Sequence, residues 1–226
     1  MKPNIEDIVK KMENEEYPEL NWDFSYKLTN ESDRGAILIG ASKVEEYLEK
    51  LVLLILPKTT KSYTNNLLKY PGPISSFSGK IELLFGFRII DESLYTSLNH
   101  LKSIRNKAAH TSESFQLSDF KSELEKVNEF EEDGKELIDL LAWNSLIEFK
   151  KSSIIEILDK RKLGQKTYNE ILEEKTSELS TNPHVLKQFI IWNLSYGLTL
   201  MCLKIMVIHD EYEKLDKSKI WIEHVN

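Results

Sequence analysis

Arg105-Asn106-Lys107-Ala108-Ala109-His110 sets a permanent cation and a titratable imidazole five positions apart, with four residues between them, at the end of an amphipathic segment. That pair could cleave RNA without a metal. A guanidinium offers a planar fork of donors that can hold a phosphate or a developing phosphorane. An imidazole ordinarily titrates near pH 6.5, so it can take the proton of a ribose 2′-hydroxyl. Asn106 lies four residues before His110, on nearly the same helical face, and could orient the ring or donate to phosphate. Lys102 and Lys107 flank the motif as candidate RNA-phosphate ligands. Each residue also has a purely structural role open to it. Arg105 could cap or pair within the fold, His110 and Asn106 could bond helix-end carbonyls, and the lysines could simply be solvated.

Other chemistries find less support. His100 precedes His110 by ten residues on a similar face, but no third ligand stands at a useful spacing, so no metal is expected there. His184, His209 and His224 fall in no familiar metal-binding spacing. Cys202 sits in an apolar run without a basic neighbour, so it is not expected to act as a nucleophile. Phosphate-binding loops, dinucleotide fingerprints and nucleophile elbows are missing from the sequence. No cofactor is expected.

The elements that would hold the motif read as helices. Ile5 to Met12 forms a short amphipathic helix, followed by an aromatic linker from Tyr17 to Phe24. Asn30 or Ser32 can cap a helix whose stripe runs through Ala36, Ile37, Gly40, Val44, Tyr47, Leu48, Leu51, Val52 and Ile55 to a stop at Pro57. Gly35, Gly40 and Ala41 would admit another backbone closely, which places this helix centrally. Tyr70-Pro71-Gly72-Pro73 breaks the chain. Ser75 or Ser76 caps the next helix, and Asp91 caps the one that carries Leu94, Leu98, Leu101 and the motif.

On a regular helix Arg105 and His110 point about 140° apart. They converge only if the helix frays or kinks near His110, or if a second subunit completes the site. Ser118 or Asp119 begins a further helix, and Asp133-Gly134 interrupts it. A long periodic helix then runs from Leu137 to about Leu163, with Gly164 as its stop. Thr167 to Leu179 reads as a charged helical excursion, and Asn182-Pro183 opens the last long helix. Phe189 to Ile208 is apolar, but Asn193, Ser195, Gly197 and Lys204 interrupt it, so a buried bundle helix is expected rather than a membrane span.

At 226 residues, 41% hydrophobic and 30% charged, with 8 Gly and 6 Pro, the chain has the composition of a helical globular protein. One cysteine allows no internal disulfide and fits a cytoplasmic setting. A net charge of −7 argues against a general nucleic-acid-coating surface but leaves room for a small basic pocket. No helix-turn-helix with a basic recognition helix is present, so direct DNA binding is not expected. The acidic excess in 13–16 and 123–136 reads as solvated faces.

Asp33-Arg34-Gly35-Ala36-Ile37-Leu38-Ile39-Gly40-Ala41-Ser42, with Val44 to Leu51, Pro73 to Ile81, Gly86 to Ile90 and the Arg105–His110 motif, resembles the mannitol operon repressor (MltR-like) family. The likeness spans residues 30–120. Its ending also resembles the wider HEPN superfamily of helical domains, many of them metal-independent ribonucleases. Two departures stand out: Lys80 occupies a place where Arg is expected, and Lys107-Ala108 replaces an acidic-aromatic pair.

The resemblance implies an all-α, HEPN-like helical bundle with additional N- and C-terminal helices. Residues 1–29 would form an N-terminal helix and linker. Residues 30–226 would form one domain, with a core at 30–120 and a possible excursion at 164–182. It further implies a homodimer in which two motifs meet, with Arg105, Asn106 and His110 catalytic and Arg34 available to line an RNA groove or to pair with a carboxylate. Proteins of this kind often act as toxins or antiphage effectors restrained by an inhibitory partner. Two other functions stay open: an MltR-like regulator working through protein–protein contacts, and a nucleotide-sensing bundle that grips phosphate through Lys102 and Arg105.

Overall fold

The computed structural model of the chain describes residues 5–13, 17–57, 59–161 and 182–215. It is all-α. Nine α-helices and two short 3₁₀ turns carry the described residues, and no strand occurs among them. The helices are α1 (Ile5–Glu13), α2 (Trp22–Thr29), α3 (Asp33–Ile55), α4 (Lys61–Leu68) and α5 (Phe77–Gly86). They continue with α6 (Glu92–His110), α7 (Lys121–Val127), α8 (Gly134–Arg161) and α9 (Pro183–Lys214). Residues 162–181 lie outside the described ones, and with them Gly164 and the expected charged excursion.

Side-chain caps start most of these helices where the sequence places them. Ser32 Oγ accepts from the Gly35 amide, Ser76 Oγ from Gly79, and Asp91 Oδ1 from Leu94. Each satisfies an amide that the first helical turn would otherwise leave orphaned. Two expectations are corrected. The aromatic stretch after Tyr17 is a 3₁₀ turn at Pro18–Leu20 followed by α2, because Asn21 Oδ1 caps the amides of Asp23 and Phe24. Neither Ser118 nor Asp119 caps a helix. They lie within the 3₁₀ turn Leu117–Phe120, and α7 follows without a side-chain cap.

α9 is the centre of the bundle, packed against α3, α8, α2 and α1. It is long and apolar enough to cross a membrane, yet 83% of its most apolar window is buried within the protein. Leu194, Leu198, Met201, Cys202 and Ile205 meet Ile37, Val44, Leu48 and Leu51 of α3 in one core. Close approach is enforced at Gly197, where an added Cβ would lie 2.0 Å from Asn128 Oδ1. The amide of Asn128 is fixed by a relay: its Nδ2 donates to Asn193 Oδ1 at 2.7 Å, and Asn193 Nδ2 donates to Asp139 Oδ1 at 2.6 Å. That direction turns Asn128 Oδ1 away from any hydrogen-bond partner and towards the glycine.

Cys202 is fully buried, and burial pushes its thiol pKa well up. The thiolate is the reactive form. Native protein should therefore leave a thiol reagent unconsumed over hours, whereas denatured protein should titrate one thiol. Rapid native labelling would contradict this packing of α9.

Candidate functional site

α6 remains a regular helix through His110, and the Thr111 amide closes it by donating to Lys107 O. The alternative of a frayed or kinked end is therefore excluded, and Arg105 and His110 leave the axis about 140° apart. Between them on the helix surface stand Lys102, Asn106 and Ala109. The last two are exposed, as is His110, while Arg105 and Lys102 are half-buried. One broad polar face results, with Arg105 beside the buried stripe of Leu94, Leu98 and Leu101 and His110 at the far edge.

The side chains on this face are held to different degrees. Arg105 Nη1 donates to Asn106 Oδ1 at 3.3 Å, so Asn106 meets the guanidinium rather than the imidazole. Among the described residues neither Arg105 nor His110 has a carboxylate partner. Lys102 is more constrained: its Nζ donates to Asn99 Oδ1 at 2.6 Å and to Ser78 Oγ at 3.3 Å, near the start of α5. Lys107 lies 3.5 Å from Glu123 and 4.9 Å from the centre of the Phe120 ring. Its side chain is 49% exposed, so this pairing is weak and easily exchanged for another anion.

Among the described residues Arg34 has no carboxylate partner, and its guanidinium holds two backbone carbonyls instead. Its Nη1 donates to Thr111 O at 2.9 Å and its Nη2 to Glu113 O at 2.6 Å. The adjacent Asp33 accepts from the Leu117 amide at 2.9 Å and lies 3.6 Å from Lys187 of α9. The Asp33-Arg34 pair at the start of α3 thus clasps the segment leaving α6, and so fixes where His110 emerges. Arg34→Ala should loosen that segment at a cost of about 1.5 kcal/mol, the low end for bonds to a charged donor because the site is partly wet. Faster amide exchange confined to residues 111–117 is the expected readout; unchanged exchange there would contradict the clasp.

The burial and the partners of Lys80 and Lys204 escaped sequence reasoning. Lys80 Nζ donates to Glu45 at 2.9 Å and to Ser75 O at 3.3 Å, and lies 3.2 Å from Glu49. Lys204 Nζ reaches Phe130 O at 2.6 Å, Glu131 at 2.8 Å and Asp91 at 3.3 Å. Their signal in the sequence is only a lysine inside an apolar stripe, and their partners come from distant elements. Lys204 also borders a cleft of about 740 Å³ lined by Phe85, Arg88, Asp91, Ile208 and Tyr212. This cleft opens near the first turn of α6, whereas His110 ends the same helix roughly 28 Å away, at 1.5 Å for each of 19 residues. No residue of the Arg105–His110 motif lines it.

No family model, curated protein or solved structure matches the chain.

Proposed function

We propose that the chain is a metal-independent endoribonuclease of the HEPN type that acts as a homodimer in the cytoplasm. One observation carries the reading. Arg105, Asn106 and His110 span one polar face of the last turns of α6, without carboxylate partners among the described residues, and the segment leaving that helix is clasped in place by Asp33 and Arg34. Without ion-pair partners, the guanidinium and the imidazole stay available to an RNA phosphate and a ribose hydroxyl. The 140° arc fits a composite site. A second copy laid against this face brings the partner's Arg105 and His110 into one cleft with this chain's own, so that one phosphate can meet both guanidinium and imidazole groups. Ala109, small and exposed, leaves room for that approach.

In the reaction, His110 takes the proton of the ribose 2′-hydroxyl and the 2′-oxygen bonds to phosphorus. The bond from phosphorus to the 5′-oxygen then breaks. The corresponding imidazole of the second copy protonates the departing oxygen. The products are a 2′,3′-cyclic phosphate and a 5′-hydroxyl. Arg105 stabilises the charge that builds on the phosphorane, and Lys102 and Lys107 hold neighbouring phosphates. DNA lacks the attacking hydroxyl and should be spared.

The second reading is a non-catalytic MltR-like regulator working through protein–protein contacts. It is favoured by an aromatic patch in which the exposed Trp22 and Tyr26 pack against the buried Tyr196 and the half-buried Trp192. Sedimentation together with incubation on mixed cellular RNA separates the two readings. The nuclease reading expects a dimer that cleaves, with activity lost in Arg105→Ala by about 10²–10³-fold, the usual effect of removing one transition-state donor. A folded wild-type dimer that leaves RNA intact would favour the regulator.

A further inference from the structure

The last two turns of α9 bring His209, Asp210 and Glu213 together, although nothing in their spacing matches a familiar metal motif. One donor atom from each lies within 4.8 Å of the other two. We propose that these residues bind a single divalent transition-metal ion, with solvent in the remaining coordination positions.

The distances suit an ion. Bonds of about 2.0–2.2 Å put two ligands of one metal no more than about 4.4 Å apart, so small side-chain adjustments close the set. His209 Nδ1 and Asp210 Oδ1 already stand 3.3 Å apart, close to the edge of a tetrahedron with bonds of about 2.0 Å. His209 and Glu213 share a helical face because they are four residues apart. Asp210 belongs to a neighbouring face and is turned by a second contact: the hydroxyl of Tyr17, itself largely buried, donates to Asp210 Oδ2. Such an outer hydrogen bond orients a ligating carboxylate.

Electrostatics point the same way. Two carboxylates and an imidazole make up the donor set, and they stand near the C-terminal end of a helix, where unpaired carbonyls add a partial negative charge. An imidazole donor favours zinc, cobalt or nickel over calcium or magnesium, which prefer all-oxygen sets. His209 and Asp210 are half-buried and Glu213 is exposed, so an ion can enter from solvent. The site lies at the opposite end of the bundle from His110. Lys204, one turn earlier on α9, contacts the N-cap of α6, while Lys187 contacts Asp33 near its C-terminal end.

The test uses the full chain, carrying no histidine tag and stripped with chelator, titrated with Co²⁺. Wild type should show one saturable visible absorption spectrum, displaced by Zn²⁺, and a rise in Tm on loading. His209→Ala and Glu213→Gln should each weaken binding by about tenfold or more, and Tyr17→Phe by about tenfold through the lost orienting bond. Circular dichroism checks that each variant folds; Glu213 is exposed, so Glu213→Gln decides the matter even if His209→Ala does not fold. Absence of a saturable spectrum, or wild-type affinity in a folded Glu213→Gln or His209→Ala protein, would overturn the site.

Discussion

Lys204→Met should destabilise the protein by about 3 kcal/mol, the low end for stripping one partner from a buried ion pair. The side chain is only 3% exposed, and its ammonium donates to Phe130 O and Asp91 Oδ2 and pairs with Glu131 at 2.8 Å. Methionine keeps much of the volume, so the loss reports the charge rather than a cavity. Asp91 and Glu131 then lose the ammonium they share, and the Phe130 carbonyl keeps only the longer bond from Ser93 Oγ at 3.3 Å. Partial exposure of the two acids lets water recover some of this, which is why the low end is expected. The same ammonium ties α9 to the N-cap of α6 and to the break between α7 and α8, so its removal should lower the urea midpoint of the whole domain. Lys107→Ala, at an exposed weak pair, should change stability by less than about 0.5 kcal/mol. A near-neutral Lys204→Met would show that the triad contributes little.

His110→Ala should abolish RNA cleavage, with a loss of about 10²–10⁴-fold expected for a proton-transfer group, and should leave the fold intact. The side chain is exposed on the final residue of α6, and the helix closure is made by backbone groups of Thr111 and Lys107. Stability should therefore stay within about 0.5 kcal/mol of wild type, as for exposed positions generally. Arg105→Lys is the informative companion. It keeps the charge but loses the planar fork, so it should rescue RNA binding more than it rescues turnover. If His110→Ala cleaves RNA as fast as wild type, the imidazole has no part in the chemistry and any cleavage belongs elsewhere.

Much of the fold was legible because it rests on local signals. Ser32, Asp91 and Asn182 announce their helices by capping chemistry, and the α3 and α9 stripes declare a shared core through periodicity. α2 was hidden because aromatic residues and a nearby proline look like a linker; its stability comes from an Asn21 cap and from packing on α9. The motif itself was readable, and so was the end of its helix at His110. Its support was not. Arg34 reaches backbone carbonyls 77 and 79 residues away, and a carbonyl leaves no mark in a sequence. Lys204 and Asp91 are 113 residues apart, and only the fold makes them a pair. His209, Asp210 and Glu213 were passed over because their spacing matches no motif, and Tyr17 joins them from the other end of the chain.

The central claim is that Arg105 and His110 form an RNA-cleaving pair, and fragment-end chemistry tests it most directly. Purified wild type and His110→Ala would be incubated in EDTA with an RNA and with its counterpart carrying a single 2′-deoxy substitution at the cleaved position. The account predicts cleavage of the RNA by wild type alone, 2′,3′-cyclic phosphate and 5′-hydroxyl ends, and protection of the substituted position. Fragments ending in 3′-hydroxyl, cleavage that survives the 2′-deoxy substitution, or intact RNA after incubation with folded wild-type protein would contradict it.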